Sequence, residues 1–262
     1  MRVVVVGGTG LIGSQVVQDV RDAGHEVVVA APSTGVDTLS GAGVDEALAG
    51  ADVVVDVSNS PSFADDDVLR FFTTSTRTLL DAEARAGIGH HVVLSIVGTD
   101  RTDAGYLRAK VAQERLVRAS GHGWSVVRAT QFFEFARSIA DGATVDGVVH
   151  IPPVAFQPVA SADVARTVAD VATGVPLADV VELAGPERFR FDEFVREALA
   201  AQGDDREVVA DPEATYFGAQ LVEDALVPRG GVPARCHDLR AARGARRVTS
   251  SCGRAARAWS AS

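Results

Sequence analysis

The first thirteen residues place a glycine-rich loop directly between an apolar run and a helical pattern, and no other feature limits the fold of this chain as much. Val3–Val6 is an unbroken β-branched run, typical of a central parallel strand that is covered on both faces. Gly7-Gly8-Thr9-Gly10-Leu11-Ile12-Gly13 follows, and apolar residues then recur at helical spacing through Val20. This order of strand, glycine turn and helix predicts the start of a dinucleotide-binding βαβ unit.

The three spaced glycines of this loop have different predicted roles. Gly7 permits a tight turn out of the strand, Gly10 leaves room for a pyrophosphate, and Gly13 lets the helix pack closely. Free N–H groups near the start of the helix are expected to donate to the phosphate oxygens. We therefore expect the pyrophosphate of NAD(H) or NADP(H) to be held by Gly7, Thr9, Gly10, Leu11, Ile12 and Gly13.

The end of the second predicted strand bears on the choice of cofactor. NAD sites usually carry an acidic residue there, which binds the ribose 2′-hydroxyl. This chain has Ala30-Ala31-Pro32-Ser33-Thr34 instead, with no acid and no arginine. The missing acid favours NADP(H) over NAD(H), with Ser33 and Thr34 as donors to a 2′-phosphate. The alternative is an ordinary polar loop. Asn59, at the end of a later strand, is a further expected cofactor contact.

Alternating strand and helix patterns continue well beyond this start. Strands are predicted at Glu26–Ala31, Ala51–Val57, His91–Val97 and Trp124–Arg128, and helices at Asp65–Ala86 and Tyr106–Ser120. This alternation predicts an α/β fold, a Rossmann-type doubly wound parallel sheet with a small C-terminal substrate lobe. The predicted domains are the NAD(P)-binding domain at 1–135, the lobe at 136–228, and an arginine-rich, loosely ordered tail at 229–262.

Tyr106 and Lys110 are the main candidates for catalysis. They lie four residues apart on a predicted helix and therefore share one face. Lys110 is the only lysine of the chain, which suggests a specific need for an ammonium group that bonds the ribose hydroxyls of the cofactor and holds Tyr106 nearby. A nearby ammonium is expected to lower the pKa of Tyr106, so that the phenol exchanges a proton with a substrate oxygen. Ser95, near the end of its strand, is expected to orient that oxygen. The alternatives are a surface Tyr and Lys pair and a structural serine.

Taken together, these motifs resemble the short-chain dehydrogenase/reductase superfamily, and most closely its atypical, NmrA-like branch. The similar segments are Val6–Gly13, Val93–Gly98 with Tyr106–Lys110, Val127–Phe133 and Pro158–Ala165. The resemblance implies a Rossmann fold, NAD(P) binding and the serine, tyrosine and lysine roles given above. It implies an NAD(P)-dependent oxidoreductase acting on a small carbonyl, alcohol or quinone. A non-catalytic redox sensor and a sugar-epimerase-like enzyme are the alternatives.

Composition excludes several other classes of function. No run of about 18 apolar residues and no signal peptide is present, which predicts a cytoplasmic protein without a membrane partner. The two cysteines, Cys236 and Cys252, match no metal-ligand spacing, so no metal is expected. The net charge is −10, and eight arginines with a single acid follow residue 228, so the rest of the chain is strongly acidic. An acidic body argues against nucleic acid and leaves a small-molecule substrate as the expected partner.

Overall fold

The computed structural model describes residues 1–102 and 105–229, in which helices alternate with strands. The helices are α1 (Leu11–Asp22), α2 (Val44–Leu48), α3 (Asp65–Ala86), α4 (Gly105–Arg118), α5 (Ala136–Gly142), α6 (Ser161–Ala172) and α7 (Phe191–Ala201). The strands are β1 (Arg2–Val6), β2 (Glu26–Ala30), β3 (Val53–Asp56), β4 (His90–Ile96), β5 (Trp124–Ala129), β6 (Thr144–Val145), β7 (Val148–Ile151), β8 (Ala155–Phe156), β9 (Val180–Leu183), β10 (Phe189–Arg190) and β11 (Val208–Ala210).

Six parallel strands form the central sheet, in the order β2-β1-β3-β4-β5-β9. The chain passes from β1 to β2 on one side, and then returns to place β3 on the other side of β1. Ligands of such sheets bind beyond the carboxyl ends of the strands at this reversal. The predicted Rossmann-type α/β fold is therefore confirmed, and its reversal point lies beside the glycine loop that follows β1.

Helices cover both faces of this sheet. Val3, Val4 and Val5 of β1 are fully buried, as expected for a central strand. Val4 packs in a cluster with residues of α2 and α3, and Val3 and Val5 face the other layer because side chains alternate along a strand. α3 and α4 pack side by side in one layer, and α1 and α6 pack against each other in the second.

The chain divides into two compact units. The first contains Met1–Ala129, Ser161–Leu183 and Phe217–Ala219, and the second contains Thr130–Ala160, Ala184–Tyr216 and the residues from Gln220 onward. The sequence pattern predicts one lobe over the whole of 136–228, whereas Ser161–Leu183 lies in the first unit. The reason is tertiary, because α6 packs on α1 and β9 completes the edge of the main sheet.

The second unit has its own apolar core. Phe156 stacks on Phe191 with ring centroids 4.2 Å apart, and Phe194 packs beside them. Two small sheets, β10-β8 and β11-β7-β6, surround this core. From residue 230 onward the predicted tail, with both cysteines, lies outside the described residues. Within the described ranges, no helix is long and apolar enough to cross a membrane, and no three acidic, His or Cys side chains are grouped to hold a metal ion.

Candidate active site

The glycine loop is so tightly packed that side chains are excluded at two of its positions. Gly7 has a φ of +78°, and a Cβ there would lie 2.8 Å from the Cα atom of Ser58. A Cβ on Gly13 would lie 2.1 Å from the carbonyl oxygen of Gly7, so the first turn of α1 rests directly on the loop. At Gly10 a Cβ would meet only that same carbonyl oxygen, at 3.3 Å. The crowding inside the loop and the open space at Gly10 fit a backbone cradle for a ligand.

The amino terminus of α1 offers unpaired donors at this cradle. Its N-terminal capping position is Gly10, which has no side chain to cap the helix, and its first turn contains no acidic residue. The first N–H groups of a helix have no acceptor within the helix, and the helix dipole is positive at this end. Thr9, Gly10 and Leu11 are exposed, while Ile12 is buried and can contribute only its backbone. These features fit the pyrophosphate of a dinucleotide.

Of the two residues expected to contact a 2′-phosphate, Thr34 already has partners. Its hydroxyl accepts the N–H of Ala31 at 3.0 Å, and the carbonyl oxygens of Val29 and Ala31 lie 2.9 Å from it as acceptors. It therefore closes the short 3-10 turn after β2. Ser33 is exposed on the same turn and remains the better donor to a phosphate.

The segment after β3 joins the glycine loop to Tyr106. Ser58 packs against Gly7. The next residue is Asn59, whose Oδ1 accepts a hydrogen bond from the Tyr106 hydroxyl with an O–O distance of 2.6 Å. The same Oδ1 accepts the N–H of Ser60 at 2.9 Å, which fixes the direction of the amide. The structure thus brings two predicted site residues, Asn59 and Tyr106, into direct contact beside the predicted cofactor loop.

The pKa of Tyr106 is shifted in the opposite direction from the sequence-based expectation. Burial raises the pKa of this phenol well above its usual value of 10, and the negative charge of Asp56 raises it further. The expected lowering by Lys110 is therefore wrong for the chain without ligand. A phenol with a raised pKa stays protonated at neutral pH, so Tyr106 carries its proton in this structure.

Lys110 belongs to a buried hydrogen-bonded network of side chains that no sequence pattern indicated. Its Nζ donates to Oε1 of Gln113, and Nε2 of Gln113 donates to Oδ2 of Asp56 at 2.8 Å. Asp56 also accepts the N–H and the hydroxyl of Ser58, at 3.0 and 2.6 Å. Burial lowers the pKa of Lys110 to about 8, although the charges of Asp56 and Glu114 act to raise it. This network therefore connects the Lys110 ammonium, on α4, to the segment that packs against Gly7.

The structure gives Ser95 a partner other than a substrate. Its hydroxyl donates to Oε1 of Glu114 on α4 at 2.6 Å, and both residues are buried. Glu114 also accepts two bonds of 2.8 Å from Arg128 and one of 2.9 Å from Arg118. Ser95 lies two residues after Val93, on the face of β4 that α4 covers. Its observed contact holds α4 to the sheet.

Aromatic rings surround Tyr106. Phe72 of α3 meets it edge-on with centroids 5.5 Å apart, and the Lys110 ammonium lies 4.2 Å from the centroid of the same Phe72 ring. Phe72 therefore contacts both candidate catalytic residues. Phe217 stacks on Tyr106 with ring centroids 5.3 Å apart, and the Phe63 centroid lies 6.0 Å from that of Tyr106.

Two residues of the site lie outside the sequence-based predictions. Asp56 could have been found, because an acidic residue stands out within the apolar run Val53–Val57. No sequence pattern indicated Phe217.

Comparison with known proteins agrees with this geometry. A family model described as NAD(P)H-binding matches residues 7–174, which is more than half of the chain. The chain belongs to this NAD(P)H-binding family. The match begins at the glycine loop and extends through α6, and it supports the resemblance to atypical short-chain dehydrogenases/reductases.

One curated relative is a (4-alkanoyl-5-oxo-2,5-dihydrofuran-3-yl)methyl phosphate reductase of Streptomyces griseus. It is 33% identical over an alignment of 161 residues, and the alignment covers 56% of this chain and 54% of that protein. The chain therefore spans about half the length of this curated relative.

Solved structures of low sequence identity share the fold. An NADPH-dependent quinone oxidoreductase of Escherichia coli complexed with NADPH has a TM-score of 0.62 and 20% identity, covering 80% of this chain and 78% of that one. A UDP-glucose 4-epimerase of Thermus thermophilus in complex with NAD has a TM-score of 0.64 and 19% identity, covering 88% and 95%.

Proposed function

We propose that this chain is an NAD(P)H-dependent reductase of a small carbonyl compound, with Tyr106 as the proton donor. The observation that carries the proposal is the bond from the Tyr106 hydroxyl to Asn59, in the segment that packs against Gly7. A protonated phenol is thereby anchored beside the loop whose backbone fits a pyrophosphate. The family match and the curated reductase relative support the same reaction class.

In this proposal the cofactor is held mainly by backbone groups of the glycine loop. Thr9, Gly10, Leu11, Ile12 and Gly13 present the open amino terminus of α1, and Gly7 closes the turn below it. NADP(H) is the preferred cofactor because no acid follows β2 to repel a 2′-phosphate, and exposed Ser33 is the donor to that group. Thr34 serves by shaping the turn. Asn59 completes the proposed contacts, whereas Lys110, also expected to bind the cofactor, is buried with its ammonium bonded to Gln113 and acts through its charge.

The proton chemistry of the proposal begins from the protonated hydroxyl of Tyr106. When bound, NAD(P)H supplies the hydride that reaches the carbonyl carbon. The Tyr106 hydroxyl exchanges its bond to Asn59 Oδ1 for one to the carbonyl oxygen, and it gives up its proton as that oxygen gains negative charge, so that an alcohol is formed. A proton from water then restores the phenol. Lys110 provides positive charge next to the Phe72 ring, and Ser95 acts through Glu114 by holding α4 in place.

Replacing each of the two tyrosines of the chain tests the proposal. Tyr106→Phe should lower carbonyl or quinone turnover by about 10²- to 10⁴-fold, the usual contribution of a general acid. The affinity for NADPH, measured by calorimetry, should stay within about twofold because the phosphate contacts remain. Tyr216→Phe, in the second unit, is the matched control and should retain turnover.

Two results would count against the reductase. Unchanged turnover of Tyr106→Phe would remove the proposed acid from the mechanism. Tight binding of NADPH with no turnover over a panel of aldehydes, ketones and quinones would favour the non-catalytic sensor. Comparing NADPH with NADH in the same calorimetric titration tests the preference for NADP(H). Ser33→Ala should bind NADPH more weakly than the unmodified chain does.

A further inference from the structure

Two large rings beside the Tyr106 ring remain partly open to solvent. Phe63 is 57% exposed and Phe217 is 37% exposed, although each is in ring contact with Tyr106. They also stack on each other, with centroids 5.7 Å apart and an interplanar angle of 15°. Mutual packing thus accounts for part of their surface only, and the rest forms an aromatic shelf next to the proposed proton donor.

The backbone around Phe217 is strained in a way that packing alone does not require. Phe217 has a φ of +50°, an unusual conformation for a bulky residue. Its carbonyl oxygen approaches the start of α4 so closely that a Cβ on Gly105 would lie 2.0 Å away. Such strain persists where the surrounding structure imposes it, and it is concentrated at ligand sites. The fold therefore holds the Phe217 ring over Tyr106 at an energetic cost.

Charges near the shelf restrict what can bind there. The carboxylate of Asp65 lies 3.5 Å from the position a Cβ would take on Gly105, the residue before Tyr106. The negative charge of Asp56 also reaches Tyr106, because it raises the pKa of that phenol. The charges of both carboxylates disfavour an anionic group near Tyr106. Phe63 and Phe217 are both in contact with the Tyr106 ring, which carries a hydroxyl.

We propose that Phe63 and Phe217 select a planar, uncharged, conjugated carbonyl compound, whose ring stacks on the shelf while its oxygen contacts Tyr106. A flat π-system matches the stacked geometry of the two rings, and the Tyr106 ring that they contact carries a hydroxyl to which a carbonyl oxygen can bond. A non-planar or phosphorylated acceptor is selected against. This inference rests on the proposed reductase function and names its substrate class.

Binding of unreactive probes tests the shelf without any turnover. 2-Naphthol, decahydro-2-naphthol and 2-naphthyl phosphate differ in planarity and charge, and their dissociation constants are measured by calorimetry on the intact chain. We expect 2-naphthol to bind about 10-fold more tightly than either of the others. Phe63→Leu and Phe217→Leu should each weaken 2-naphthol by about 2- to 10-fold, the range for one aromatic pair, and should leave decahydro-2-naphthol unchanged.

Phe71→Leu is the matched control. Phe71 precedes Phe72 on α3 and meets it edge-on at 5.2 Å, so this variant loosens the same aromatic cluster away from the shelf. It should bind 2-naphthol within about twofold of the unmodified chain. Equal affinity for the planar and saturated alcohols, tighter binding of the phosphate, or unchanged 2-naphthol affinity in both Leu variants would overturn the inference. Naphthol discrimination without turnover of any carbonyl would refute the reductase and leave the shelf in place.

Discussion

Adding one methyl group at Gly13 separates the packing of the glycine loop from its proposed ligand contacts. In Gly13→Ala the new Cβ would lie 2.1 Å from the carbonyl oxygen of Gly7, whereas ordinary contact begins at 3.4 Å. The loop and α1 must therefore separate by about 1.3 Å, the difference between those two distances. Gly7 is tied to Ala30 by a 2.8 Å backbone bond and to Gly10 by one of 3.0 Å, so the shift strains both.

The same displacement moves the donors at the start of α1. A misplacement of about 1 Å can cost about 100-fold in a well-ordered site, so we expect Gly13→Ala to weaken NADPH by about that factor. Overpacking should also lower the free energy of unfolding by about 1–3 kcal/mol. Calorimetric titration and urea denaturation measure the two effects separately.

Two other glycines serve as controls. Gly142→Ala, in α5, meets no heavy atom within 4 Å and should change neither quantity adversely. Gly10→Ala has only the Gly7 carbonyl at 3.3 Å, so it should keep nearly full stability and still lose cofactor affinity, because its methyl group would fill the cradle. If Gly13→Ala bound NADPH as tightly as the unmodified chain, the loop would not be the rigid cradle described above.

Three further predictions concern buried charges. Gln113→Leu removes the hydrogen-bonded bridge between Asp56 and Lys110 and should lower the free energy of unfolding, measured by urea denaturation, by about 3 kcal/mol. A loss below about 1 kcal/mol would contradict the buried hydrogen-bonded network. The pKa of Lys110 is about 8 in the folded chain and 10.5 in the unfolded chain, so between these two pH values the lysine is protonated only when the chain is unfolded. The free energy of unfolding of the unmodified chain, relative to that of Lys110→Met, should therefore rise by about 3 kcal/mol from pH 8 to pH 10.5. Burial lowers the pKa of His91, but the charge and hydrogen bond of Glu83, with the charge of Asp56, raise it above 6.5 overall. The stabilisation from that pair is complete below pH 6.5 and lost as pH rises, so Glu83→Gln should destabilise the chain more at pH 6 than at pH 9 in urea melts.

The sequence was most informative where local chemistry decides the structure. α3 spans the predicted Asp65–Ala86, because an amphipathic stripe fills it and Gly87, in a left-handed conformation, ends it. The glycine loop has the predicted turn at Gly7 for the same local reason. β9, in contrast, is a four-residue strand whose assignment depends on pairing with β5, and no local pattern distinguishes it from a loop.

Within the site, residue types could be predicted and their partners could not. The shared helix correctly placed Tyr106 and Lys110 on α4, but the direction of the Tyr106 pKa depends on burial and on Asp56, which belong to the tertiary structure. The contact of Ser95 with Glu114 likewise follows from how α4 lies on β4. Phe217 reaches Tyr106 from more than one hundred residues along the chain.

The pairing of β9 with β5 sets the order in which the first unit can be completed. Val126 pairs with Val180, and Gln15 of α1 contacts Ser161 of α6, so both the sheet edge and one helical layer depend on late-synthesised residues. A ribosome that has released residues 1–135 has therefore delivered the glycine loop and Tyr106 without the helix that covers α1. Such contacts between distant positions slow folding and leave apolar surface exposed meanwhile. A fragment cut at residue 135 would thus contain the whole candidate site except Phe217 and still lack part of the scaffold that keeps it in place.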